Sequence, residues 1–123
     1  MNELDDIADA WIRLHHLPEG SEEHERNFWA FMRLSKLTRD DPEPAWRVIE
    51  KILERDTSDV MLSNVGAGPL EDLLVRHGAR FIDRIETRAK SDVMFKKVLG
   101  IVWKNAMSED VWQRVKAVAA PPW

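Results

Sequence analysis

The chain contains no cysteine, which removes disulfides, thiolate metal sites and thiol nucleophiles together and fits a reducing compartment. It contains no tyrosine, so phenolic acid/base chemistry is excluded. Long hydrophobic runs are missing too. The longest, Val98 to Trp103, is six residues with Gly100 inside it, far below the roughly 20 that a membrane-spanning helix needs. The first residues lack the basic character of a targeting segment and instead cluster Glu3, Asp5, Asp6 and Asp9. These absences predict a soluble cytoplasmic protein with no membrane partner.

What remains is 123 residues, 44% hydrophobic and 33% charged, enough for one domain over 1–123 with its own core. The net charge of −4 hides an asymmetry: residues 1–75 carry 8 Lys and Arg against 17 Asp and Glu, and residues 76–123 carry 10 against 5. Such a chain either pairs its halves internally or offers two faces to different partners. The acidic balance argues against nucleic acid as a partner.

Helical periodicity runs throughout. Leu4, Ile7, Trp11 and Leu14 predict a first amphipathic helix ending before Pro18. Ser21 is the expected N-cap of a second, followed by Glu22, Glu23 and Glu25 at its positive end. Phe28, Phe31, Met32 and Ser35 form its apolar stripe with Trp29 beside it, and it stops near Thr38. A third helix from about Pro44 to Arg55 buries Trp46, Ile49, Ile52 and Leu53. Ser58 caps a short helix interrupted at Gly66-Ala67-Gly68-Pro69.

The next helix runs from Pro69 through Leu70, Leu73 and Leu74 to an end at His77-Gly78, and another carries Phe81, Ile82, Ile85 and Ala89. Ser91 is expected to cap a helix with Phe95, Val98, Leu99, Val102 and Trp103, and Ser108 the last, which Pro121-Pro122 prevents from continuing. No stretch alternates as a strand does. The expected fold is all-α: seven to eight helices in an irregular bundle or short stack of helical hairpins.

The string Gly68-Pro69-Leu70-Glu71-Asp72-Leu73-Leu74, followed by His77-Gly78, Phe81-Ile82 and Ile85-Glu86, and preceded by Ala45-Trp46-x-x-Ile49, resembles a bacterial family classed as a domain of unknown function. The resemblance covers roughly residues 42–118 and implies an all-helical bacterial protein. It carries over no activity, cofactor or catalytic residue.

Read from the residues, Gly68 caps, Pro69 starts a helix, and Glu71 and Asp72 complement its dipole, where they would repel a phosphate. A general acid/base cluster of Glu71, Asp72 and His77 is opposed by geometry: at 100° per residue the two carboxylates project about 100° apart, and His77 about 140° from Asp72. Asp72 with Arg76 is the expected i,i+4 pair, and His77 with Gly78 the expected helix end. His15, His16 and His24 lack metal-ligand spacing, so no metal and no cofactor is expected.

Trp11, Trp46 and Trp103 fall in phase with core stripes, while Trp29 and Trp112 lie beside theirs. Trp123, beyond two prolines, either docks back on the core or anchors a partner. Arg76, Arg80, Arg84 and Arg88 stand four apart, the last three forming one ridge. Guanidinium groups so arrayed suit carboxylates, either on the acidic half of this chain or on a partner.

The expected function is a non-enzymatic protein-interaction module that neutralises or regulates a cognate effector protein. The alternatives are a small enzyme with a site near Glu71, Asp72 and His77, and a nucleic-acid binder through Arg80, Arg84 and Arg88.

Overall fold

Most helices start where a short polar side chain satisfies an orphan N–H of the first turn. In the computed structural model, which describes residues 2–121, Asn2 caps α1 (Glu3–His16), Ser21 caps α2 (Glu22–Asp40) and Ser58 caps α4 (Asp59–Ala67). Asp92 caps α6 (Val93–Leu99) and Ser108 caps α7 (Glu109–Val118). The other two, α3 (Pro42–Arg55) and α5 (Pro69–Ser91), start on proline, whose missing N–H costs nothing at that position. The described residues thus form seven helices without a strand, an all-α bundle.

One N-cap differs from the sequence reading. The cap before Phe95 is Asp92, not Ser91, because a carboxylate one residue later lies in reach of the Phe95 N–H, 3.0 Å away. The helix end expected at His77-Gly78 is present as a kink: His77 leaves helical geometry (φ −135°, ψ 27°), so α5 is two helical segments joined there. Gly78 has a packing reason. A Cβ there would stand 2.8 Å from Val111 Cγ1 of α7, so the missing side chain is what lets α7 lie against the bend.

The longest helix, α5, packs against every other helix except α1, which lies on α2, α3 and α4. Leu70, Leu73, Leu74, Phe81, Ile82 and Ile85 of α5 are buried in the shared core. Trp46 stands edge-on to Phe95 at 6.0 Å between ring centres. The acidic α1 is fastened from outside: Asp5 meets Lys51 at 2.9 Å, and Arg55 also reaches Asp9 at 2.9 Å. No helix is long and apolar enough to cross a membrane among the described residues.

Two apolar expectations are overturned. Trp103 is 77% exposed, because α6 stops at Leu99 and the chain leaves helical phase before reaching it. In α2 the buried residues are Ala30, Leu34, Leu37 and Thr38, and the stripe of Phe28, Phe31 and Met32 faces outward. Trp29 joins them. Trp123 lies outside the described residues.

Candidate functional site

The Gly68–Leu74 segment divides its labour residue by residue. Gly68 is the N-cap of α5, and a Cβ on it would lie 2.8 Å from the backbone oxygen of Asn64. Pro69 opens the helix, and Leu70, Leu73 and Leu74 enter the core. Glu71 turns to the loop after α6: its carboxylate accepts the Trp103 N–H at 2.9 Å and the Asn105 amide at 3.4 Å. Asn105 holds a positive φ of 47°, a conformation asparagine tolerates better than most residues.

His77 turns elsewhere again, its Nε2 3.2 Å from the carbonyl oxygen of Arg39 in the last turn of α2. It therefore serves another helix's C-terminal carbonyls, not those of its own. Glu71, Asp72 and His77 face three different neighbourhoods.

Asp72 is the exception in this segment. Its carboxylate makes no hydrogen bond or ion pair among the described residues; the Arg76 pair expected at i,i+4 does not close. Burial pushes its carboxyl above the usual value of 3.8, against the pull of Arg76. It lines a cavity of about 350 Å³ together with Trp11 and His15 of α1, Phe31 and Leu34 of α2, and Asn64 of α4. The cavity exists because α1 and α5 both pack on α2 and α4 but not on each other.

His15 belongs to this cavity, a placement that no local pattern in the chain announces. Its ring lies 3.9 Å from that of Trp11, centre to centre. Its Nδ1 is 2.9 Å from the Trp11 carbonyl oxygen. A carbonyl only accepts, so Nδ1 carries the proton and Nε2 keeps its lone pair. Burial lowers the His15 pKa below 6.5, outweighing that hydrogen bond, so the ring is neutral at pH 7. The neighbouring histidines diverge: His16 Nε2 meets Asp56 at 2.7 Å, and His24 lies beside Phe28 with its Nδ1 buried and unpaired among the described residues.

The arginine ridge is engaged within the chain. Arg84 grips Glu43 at two points, 2.7 and 2.8 Å, and Arg80 meets the same carboxylate at 2.9 Å. Arg88 spans Glu50 at 2.9 Å and Asp92 at 3.4 Å. Arg84 also lies over the Phe81 ring, 4.7 Å from its centre. The acceptors Glu43 and Glu50 come from the acidic half. The hydrogen bonds from Arg84 above all hold the Glu43 carboxyl down at about 2. Arg76 is exposed and makes no ion pair among the described residues.

Among the described residues, a cluster of exposed apolar side chains lies on α2. Phe28, Trp29, Phe31 and Met32 are 40%, 45%, 43% and 60% exposed. Helical spacing sets Phe28 beside Phe31 and Met32, and Trp29 beside Met32; the Phe28 and Phe31 rings stack at 5.3 Å. Glu22, Glu23 and Glu25 occupy the first turn of α2, and helical spacing brings Glu22 and Glu25 to this side. Phe31 is shared, forming part of the outer face and part of the cavity wall.

Residues 17–122 match a family described as a family of unknown function (DUF6869), and the chain belongs to that family. The match takes in α2 to α7 and so includes the aromatic face, Asp72 and the arginine ridge. No curated protein and no solved structure matches the chain.

Proposed function

We propose that the chain is a protein-interaction module of a bacterial cytoplasm, and that it meets its partner through the outward face of α2. One observation carries this reading: three large aromatic side chains and a methionine stand together on one helix face, each 40–60% exposed among the described residues. Scattered exposed apolar residues are ordinary, but a contiguous cluster with an acidic edge has the make-up of an interface core and rim. Aromatic and methionine side chains bring large contact area at modest entropic cost.

The acidic edge at Glu22 and Glu25 favours a partner with an apolar patch bordered by basic residues. Neutralising or regulating a basic effector protein is the role this chemistry suits. The arginine ridge is a weaker candidate, because a partner's carboxylate or a phosphate would have to displace Glu43 and Glu50 from bonds already formed.

The test is photo-crosslinking in the native host, with a photoreactive amino acid at position 29 or at position 80. The reading expects one discrete protein adduct from position 29 and none from position 80. Adducts confined to position 80, or none at either, contradict it.

A further inference from the structure

The polar lining of the cavity behind Phe31 is richest in acceptors, with the Trp11 indole N–H and the Ser35 hydroxyl as its other polar groups. The Asp72 carboxylate has only acceptor capacity when ionised. His15, with its proton committed to the Trp11 carbonyl oxygen, offers the Nε2 lone pair. Asn64 donates from Nδ2 to the Val60 carbonyl oxygen at 2.7 Å, which leaves its side-chain oxygen unclaimed. Three acceptors from α1, α4 and α5 thus line one space with Phe31, Leu34 and Pro69 as apolar wall. The positive end of α5 lies nearby, but Glu71 and Asp72 in its first turn already answer it.

We propose that this cavity is a binding site for an organic cation, a guanidinium or primary ammonium head on a short apolar stem, supplied by an arginine or lysine side chain of the partner that covers the α2 face. The proposal rests on the α2 reading for the source of the cation but not for its chemistry. The head group donates to Asp72, Asn64 and His15, and the stem lies along Phe31 and Leu34. A planar guanidinium, with five donors in a fixed fork, can serve several acceptors at once where an ammonium serves fewer. An anion would meet the Asp72 charge and find no cationic side chain among the residues lining the cavity. Because Phe31 belongs to both surfaces, a side chain at the edge of a docked partner enters the cavity without any rearrangement of α2.

The test is a ¹H–¹⁵N NMR titration of the intact protein with n-butylguanidinium, n-butylammonium and, as anion control, butyrate. The expected result is saturable shifts at the Trp11 indole, His15 and Asp72 with n-butylguanidinium, at a Kd of roughly millimolar, which is what so small a fragment can achieve. Butyrate gives no such shifts. Asp72→Asn weakens the guanidinium about tenfold, the loss of a charge-assisted hydrogen bond. Phe31→Ala weakens n-butylguanidinium more than methylguanidinium, which lacks the stem, and so gives a second reading independent of Asp72.

Micromolar binding of free n-butylguanidinium would keep the cation chemistry but overturn the partner side chain as its source. Binding unaffected by Asp72→Asn, equal shifts with butyrate, or no saturable shifts overturn the proposal. Since the titration needs no partner, its failure is distinct from a failed cross-link at position 29.

Discussion

Arg84 of α5 holds Glu43 of α3 in a two-point bridge, Nη1 to Oε1 at 2.7 Å and Nη2 to Oε2 at 2.8 Å. The pair joins the basic half of the chain to the acidic half. It also has a pH signature with a definite sign. The folded-state pKa of Glu43 is depressed to about 2 from an ordinary 4.5. Its stabilising contribution is therefore fully present above about pH 4.5 and lost as pH falls towards 2. Chemical denaturation across that window should show a decline in stability that is shallower in Glu43→Gln. A variant with the same pH dependence as the parent would show that the bridge does not persist in solution.

Leu73 is fully buried near the start of α5, with Leu70 and Leu74 in the same core. Leu73→Ala should cost about 2–5 kcal/mol in equilibrium unfolding, the range for truncating a buried leucine. A loss below about 1 kcal/mol would mean that the core collapses around the deletion far more readily than usual.

Gly78 and Val111 test the fit of α7 against the bend in α5. Gly78→Ala places a methyl group 2.8 Å from Val111 Cγ1 and should destabilise by about 1–3 kcal/mol, the usual cost of overpacking. Val111→Ala in the same chain should recover part of that loss, giving a favourable coupling in a double-mutant cycle. Strict additivity would place the strain elsewhere.

Asp72 should behave in the opposite way from Glu43. Burial raises its carboxyl above 3.8, so the ionised form is disfavoured in the folded state, and its contribution to stability declines as pH rises through the folded value. Asp72→Asn should therefore leave stability at pH 7 unchanged or higher. A marked loss would reveal a structural partner for the carboxylate, contrary to its lack of one among the described residues.

The helices were legible because caps and stripes are local signals. Ser21, Ser58 and Ser108 each accept the N–H three residues on, as the sequence predicts. The α2 stripe was misread for a physical reason: the helix is apolar on two sides. Its larger side chains, Phe28, Phe31 and Met32, have the right period, but the bundle buries the smaller set of Ala30, Leu34 and Leu37. Ala30 has no exposed surface, and a small residue there permits close helix approach that an aromatic would block. Periodicity alone cannot choose between two apolar faces.

The joining of His15 to Asp72 in one cavity was not legible at all. It depends on α1 and α5 standing apart across α2 and α4, a tertiary arrangement with no local trace. The Gly68-Pro69 start and the buried leucines of the same segment were readable, whereas the partners of Glu71 and His77 arise from a loop and a helix far along the chain.

The central claim is that the α2 face, rather than the arginine ridge, makes the interaction. Its most direct measurement is a calorimetric titration of the protein recovered by cross-linking at position 29 against two double variants, Trp29→Gln with Met32→Gln and Arg80→Gln with Arg84→Gln. Both variants alter exposed side chains, and unfolding curves check that each remains folded. The account predicts that the α2 variant loses at least about tenfold in affinity, as removal of an interface anchor does, while the ridge variant stays within about threefold of the parent. A ridge variant that loses binding while the α2 variant keeps it would contradict the account.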